Sequence, residues 1–448
     1  TKKTDRKGIV TTYAYNVWKN PTSIVASLGS QTQSVTYTYD ILGNRKSMTD
    51  NTGTTTYNYD FLSRLTTETH NGTIKTYEWD KYGNKTGLDV NAPDAVTYDA
   101  EYTYNLRNQM SGMTGGCGLL TSSYSYDANG RVSSKTLNGI TTNYTYNQSN
   151  AVTELKTEKT ADGSHLFSAV YGFERSGNIV TDSSLGVNAF AEKTYIYDGK
   201  NRLKTEDIYA GKTGGNGLSE TRTYQFDSHD NVQTKNVDSN NPSVPKGYFE
   251  YSSFNGNNKL YTYDIGNEAS SIESIKSAAF DTNGNMTTAY DNATIEYDLF
   301  NRMVKYEKGT DVYTYTYNGD GQRMSKTVNG TTTNFVWDGM DMILEHVDYF
   351  NNTGYYYGPG GVEFQQYSDG MHLAAAYVKN ALGDVVGTYD VMSGVTLYRE
   401  YCYDAYGNAV EEYDNTNATP PSENPFRYRG EYYDTETGFY YDCDKIGL

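Results

Sequence analysis

A chain of 448 residues with 47 Tyr, 43 Gly, only 8 Pro and a net charge of −18 has a restricted set of possible roles. That acidity argues against a sequence-independent grip on phosphate backbones, and no run approaches the roughly 18 apolar residues of a membrane helix. A hydrophobic content of 36 % and a mean hydropathy of −0.74 are low for one large core, although a sheet with one dry and one wet face tolerates them. Tyr and Thr favour pleated, half-buried surfaces while Gly and Asn make turns, so the composition is all-β.

In chain order, the opening TKKTDRKGIV has neither an initiator Met nor an apolar leader and reads as cut from a longer chain. The first clear strand follows in VTYTYD, where Val35, Tyr37 and Tyr39 fall on one face and Thr36 and Thr38 on the other. Asp40 takes the first position of a type I turn and Gly43 the fourth; the chain returns through Asn44–Met48 and turns again near DNTGT. Asn-Gly second turns recur at 70–74, 137–141 and 328–332, a strong short-range hairpin signal. The aromatic–acid pair repeats at 39–40, 59–60 and 79–80, a step of 20 residues that also separates Tyr297, Tyr317 and Trp337. Two strands of about seven residues plus two short turns account for it. The phrase predicts hairpin turns at Asp40–Gly43, Asp80–Gly83, Asp127–Gly130 and Asp404–Gly407. It also places Tyr37, Tyr39, Tyr57, Tyr59, Tyr77 and Trp79 on one face of one sheet. Segment 205–222 reads as an exposed insertion between strands.

An isolated hairpin is marginal in water, so each unit must stack on its neighbours, giving a long antiparallel sheet held by cross-strand aromatic pairs. Tyr rather than Phe or Leu requires partners for many phenols. Two arrangements satisfy that requirement: a sheet curled round a hydrated space, or a twisted solenoid with exposed Tyr ladders.

The Y-D-x-x-G-N-R-hydrophobic phrase resembles the YD repeat of rearrangement-hotspot (Rhs) proteins, wall-associated proteins and teneurins. The strings YYYGPGG (355–361), YVKNALGDVVGTYD (377–390), YCYDAYGN (401–408) and NPFRYRGEYYDTETGFYY (424–441) are similar to the Rhs-associated core. The resemblance divides the chain into a YD-repeat β-shell over 1–340 and a shortened core over 341–448. It implies antiparallel hairpins spiralling into a shell or solenoid-like β-cage. That shell would belong to a bacterial polymorphic toxin or wall-associated protein and would enclose and present a C-terminal toxin domain absent from this chain. It further implies a secreted or cell-surface location, contact-dependent competition, and as partners a toxin cargo with its immunity protein. The competing reading is a surface adhesion module whose aromatic ladders bind cell-surface glycans. For the shell itself neither reading calls for nucleic acid or a membrane span.

The candidate chemistry is a single self-cleavage. By resemblance, the carboxylate pair Asp434 and Asp444 shares a proton and cuts after Leu448, with Asp444-Lys-Ile-Gly-Leu448 standing where the family has D-P-x-G-L. Here GFYY runs at once into DCDKIGL, omitting a segment that the family usually carries. Arg427 and Arg429 lie among acids and could hold Asp434 or Glu431. Other signals fail: GKT at 211–213 has Glu206 where a phosphate loop needs its first Gly, and the five His are scattered. The three cysteines, Cys117, Cys402 and Cys443, make neither a disulfide framework nor a zinc spacing. No cofactor or metal site is expected.

Overall fold

The structure, a computed structural model, describes residues 1–212, 217–240, 247–254, 260–268, 271–348, 351–367, 374–414 and 424–441. Strands account for more than half of the chain, and among the described residues helix is limited to two single 3-10 turns, at Pro93–Ala95 and Tyr428–Gly430. The strands are numbered β1–β40 in chain order. From β1 (Lys2–Thr4) to β24 (Ser271–Ser277) each pairs antiparallel with the next, forming a 24-stranded meander. A second, 14-stranded meander runs from β25 (Ala279–Phe280) to β38 (Ala409–Asp414), and β39 (Tyr432–Asp434) pairs with β40 (Phe439–Tyr441).

The repeated phrase builds each hairpin as its chemistry requires. Gly43, Gly83, Gly130 and Gly407 donate their N–H to the carbonyls of Asp40, Asp80, Asp127 and Asp404 at 3.0–3.3 Å. Each Asp side chain closes its turn from inside: Asp40 Oδ1 accepts from the N–H of Leu42 and Asn44, both at 2.9 Å. The glycines adopt φ of +84° to +90°, where a side chain would be strained. In β4 (Gln31–Tyr39), Val35 and Tyr37 are buried while Thr36 and Thr38 are exposed. The same alternation in β6 (Gly53–Tyr59) and β8 (Thr73–Trp79) puts the six aromatic rungs on one face.

Tyrosine is explained by a device that recurs along the sheet. Thr38 pairs with Ser47 but Tyr39 with Arg45, so one extra residue enters the returning strand, a β-bulge. Equivalent shifts occur at Asn58/Tyr59 and Glu78/Trp79. The aromatic residue before the next turn then donates to the carbonyl at the preceding bulge. Tyr39 bonds the Pro21 oxygen at 2.8 Å, Tyr104 that of Lys85 at 2.8 Å, and Tyr146 that of Val132 at 2.7 Å. Tyr197 bonds Ile179 at 2.9 Å and Tyr403 bonds Val385 at 3.0 Å. Where Trp replaces Tyr, its indole N–H does the same: Trp79 to Leu65 at 2.7 Å and Trp337 to Arg323 at 2.8 Å. Phe or Leu would bury the same area but could not supply this donor.

The two sheets lie face to face. Leu88, Leu120 and Leu155 of the first share one core with Leu344, Phe364 and Ala376 of the second. The rings of Tyr98 and Tyr356 stack at 4.7 Å, and the Glu400 carboxylate accepts from the N–H of Val187 and Asn188 at 2.7 and 2.8 Å. Along this shared core the space between the sheets is packed with side chains. The described residues of 205–222 are ladder and not an exposed insertion: β19 (Leu203–Lys212) and β20 (Leu218–Phe226) pair with one another, with Ile208 and Ala210 buried, and residues 213–216 lie outside the described residues. The sheet changes between 277 and 279, and position 340 falls in the turn joining β31 (Thr331–Asp338) to β32 (Asp341–His346).

Candidate functional site

The C-terminal segment NPFRYRGEYYDTETGFYY carries the candidate acid and lies on the face of the second sheet turned away from the first. Phe426 and Tyr432 are buried among Phe335, Trp337, Tyr355 and Tyr377. Phe426 meets the Tyr355 ring edge-on at 4.9 Å. Burying such rings contributes roughly 1.5–3 kcal/mol each, enough to fix a short segment.

Asp434 ends β39 and starts a tight loop whose Gly438 N–H returns to the Asp434 carbonyl at 2.8 Å. Its side chain, almost wholly buried, meets Arg323 at 2.6 Å and Lys326 at 3.5 Å. Lys326 also reaches Glu436 at 3.3 Å. Arg323 is itself only 1 % exposed and sits among the rings of Tyr315, Phe335, Tyr432 and Tyr441, the last at 4.3 Å. Burial opposes the Arg323 charge, but Asp434 more than offsets it, and the guanidinium holds its proton more tightly than usual. Glu345 lies nearby, and burial pushes its carboxyl upwards against the pull of Lys326.

Arg323 therefore holds Asp434, the role expected of Arg427 or Arg429. The Arg427 guanidinium instead lies over the Tyr433 ring at 4.6 Å, and the Arg429 N–H donates to Asp384 at 2.8 Å. The missed partner had a signal. Arg323 follows the turn NGDGQ as Arg45 follows DILGN, but no local pattern signals that a segment over 100 residues later covers it. Asp444, Leu448 and Cys443 lie outside the described residues. An Asp gripped by two cations serves well as an anchoring carboxylate, and the shared-proton arrangement needs a second acid beside it. Cys117 is exposed and Cys402 buried; neither forms a disulfide among the described residues. No helix among the described residues is long and apolar enough to cross a membrane.

Comparison with known proteins gives the following. No family model matches the chain. It is 29 % identical over 361 residues to the tRNA3(Ser)-specific nuclease WapA of Bacillus spizizenii, covering 76 % of this chain. Identity to the tRNA nuclease WapA of Bacillus subtilis strain 168 is 28 % over 361 residues. The chain spans 13 % of the length of each of these curated relatives. Among solved structures it matches TcdB2-TccC3-Cdc42 with a TM-score of 0.57 at 13 % identity, covering 97 % of this chain and 29 % of that one. TcdB2-TccC3 without its hypervariable C-terminal region matches with a TM-score of 0.57 at 13 % identity, over 98 % of this chain and 32 % of that one. The structural matches show a shared fold. The sequence matches support the resemblance to Rhs-type repeats carried by the motifs.

Proposed function

We propose that the chain is wall of a bacterial Rhs/YD-repeat polymorphic-toxin shell, secreted or displayed at the cell surface, which encloses and presents a toxin domain following the shortened core. The observation that carries this reading is the anchored C-terminal hairpin: Phe426, Tyr432 and Asp434 fix the chain to the wall at the point from which a following domain would extend. The relatives that bear the name of tRNA nuclease agree with a toxin cargo, whose immunity protein would be the second partner. Cargo would not lie in the seam between the two sheets. Packed sheets are about 10 Å apart, whereas a domain of about 100 residues has a radius of gyration of about 13 Å. It would occupy space bounded by these sheets and by further wall.

Self-cleavage belongs to the same proposal. Water would add to the Leu448 carbonyl, the bond to the following nitrogen would break, and Asp434 and Asp444 would move the protons. The test extends the chain beyond Leu448 with a protease-sensitive reporter domain, in the longest version of the protein that folds. The reporter should resist protease while attached, and splitting after Leu448 should stop in Asp434→Asn or Asp444→Asn with the fold retained. A reporter digested as fast as the free domain would overturn the shell reading. Equal splitting in both Asn variants would return these acids to a structural role.

A further inference from the structure

One rim of the first sheet carries a row of large apolar residues in water. Its turns at 16–20, 40–44, 60–64, 80–84 and 105–109 close alike, the first side chain accepting the N–H two residues on at 2.8–3.0 Å. Alternate turns of a meander share a rim, so the five tips follow one another at roughly 10 Å along about 40 Å of edge. Their middle positions hold Trp18, Ile41, Phe61, Leu62, Tyr82 and Leu106, each more than half exposed. The turn does not ask for them. Later turns on the same rim keep the closing bond with Asn129, Ser149, Lys200 and His229 at those positions. A single exposed apolar residue is ordinary, whereas a row on five successive turns marks a contact surface.

The rim is not shaped to seat on a sheet in the way the second sheet seats on the first. There the residue after the leading Asp or Asn of a turn donates its N–H across the seam: Gly319 to Asp50, Ala381 to Tyr171 and Ala405 to Glu206 at 2.5–3.3 Å, and Leu299 to Gln33 at 3.2 Å. So close an approach favours small residues, and a Cβ on Gly319 would lie 2.4 Å from Val35. Of the four only Leu299 is large, whereas the first-sheet rim has Val17, Ile41, Phe61 and Leu106 at the same place. The exposed charges of the rim are also of one sign. Lys19, Lys81 and Arg107 stand in water beside the tips, while the only acids of these turns, Asp40, Asp60 and Asp80, accept the N–H groups of their own turns.

We propose that this rim docks on an anionic lipid bilayer, its five tips entering the headgroup region. Trp and Tyr favour that interface, Leu, Ile and Phe reach the acyl boundary, and Lys and Arg meet anionic headgroups. A fluid bilayer closes round bulky tips that a fixed sheet would exclude. The net charge of −18 opposes approach from a distance, but at physiological salt a Debye length of about 8 Å lets the charges at the rim dominate. Docking of this kind needs no cargo and is independent of the shell reading.

The test is flotation of the intact chain with vesicles of phosphatidylcholine containing about one-quarter phosphatidylglycerol, and with phosphatidylcholine alone. The chain should float with the mixed vesicles and less with the neutral ones. Lipids brominated near the headgroup should quench part of its fluorescence, a part that Trp18→Phe removes. The double change Phe61→Ser with Leu62→Ser, and Leu106→Ser separately, should each weaken binding at an unchanged melting temperature, the double change by about ten-fold or more. Ser149→Ala, at a polar tip of the same rim, should leave binding as it was. Four results would each overturn the proposal: no flotation, equal flotation with both lipids, flotation unaltered in the folded Ser variants, or no quenching that depends on Trp18. Self-association that the same Ser variants abolish would assign the rim to a second copy of the chain and overturn it as well.

Discussion

The hairpin of β8 and β9 (Lys85–Asn91) and that of β35 (Ala374–Lys379) and β36 (Val385–Asp390) follow the same local grammar. Each has a strand, a turn closed by an Asp or Asn side chain, a glycine with positive φ, and a bulged return. Their surroundings differ. In β8 the side chains alternate between buried and exposed, and the turn tip leaves Tyr82 67 % exposed. In β35 and β36 every residue is buried, because the first sheet covers one face and the C-terminal hairpin the other. The contrast separates two contributions. The turn phrase decides that a hairpin forms; the number of layers around it decides which residues it can carry.

The sharpest way to break the comparison is to remove an arginine that holds an Asp in each setting. Arg323→Ala leaves the buried Asp434 without its main counter-ion and should cost about 3–5 kcal/mol. Arg64→Ala removes a partly exposed pair with Asp60 at 2.7 Å and should cost less than about 1 kcal/mol. Urea unfolding of both variants measures the difference, and similar losses would mean that layering does not matter.

A pH experiment probes the seam itself. Burial first, against the donated N–H bonds of Asn188 and Val187, pushes the Glu400 carboxyl up to about 7 from 4.5. The folded state thus favours the protonated acid, so this contribution is complete below pH 4.5 and is lost as pH rises through about 7. Its full size is roughly 3 kcal/mol. Glu400→Gln should flatten the stability profile between those values; an unchanged slope would assign it to other groups.

The smallest expected effect sharpens the shared grammar. Tyr146→Phe and Tyr403→Phe each delete one phenol–carbonyl bond and should cost about 1 kcal/mol, more where no water can reach the carbonyl. Thermal unfolding would resolve the pair, and a neutral Tyr403→Phe would show that the bulge carbonyl needs no such donor.

What was legible in the sequence follows the range of the interactions. Asp40 to Gly43 is a contact across four residues, and its residue types suit almost no other conformation, so the turns and the aromatic face could be read directly. The bulges leave no mark of their own in VTYTYDILGNRKSM, although the excess of Tyr over Phe was their trace. The Arg323–Asp434 pair depends on which distant strands come together. Segment 205–222 hides its strands because it lacks the D-x-x-G phrase, while its buried partners lie on the second sheet, as where Ala405 N–H donates to Glu206 at 2.8 Å.

The bond from a bulge Tyr or Trp to the preceding bulge also bears on how such a wall changes over generations. Where Tyr or Trp fills that place, a hairpin is fastened to the one before it by contacts that both carry in their own sequence, Tyr146 to Val132 as Tyr104 to Lys85, while Phe173 and Phe226 fill it without a donor. A whole hairpin can therefore be duplicated or lost by recombination without disturbing the junctions on either side, whereas a gain or loss of one strand would reverse chain direction and misplace every later donor. The wall has a fixed register but no intrinsic length. Its size is open to drift in paired strands, and selection on whatever it surrounds can set the number.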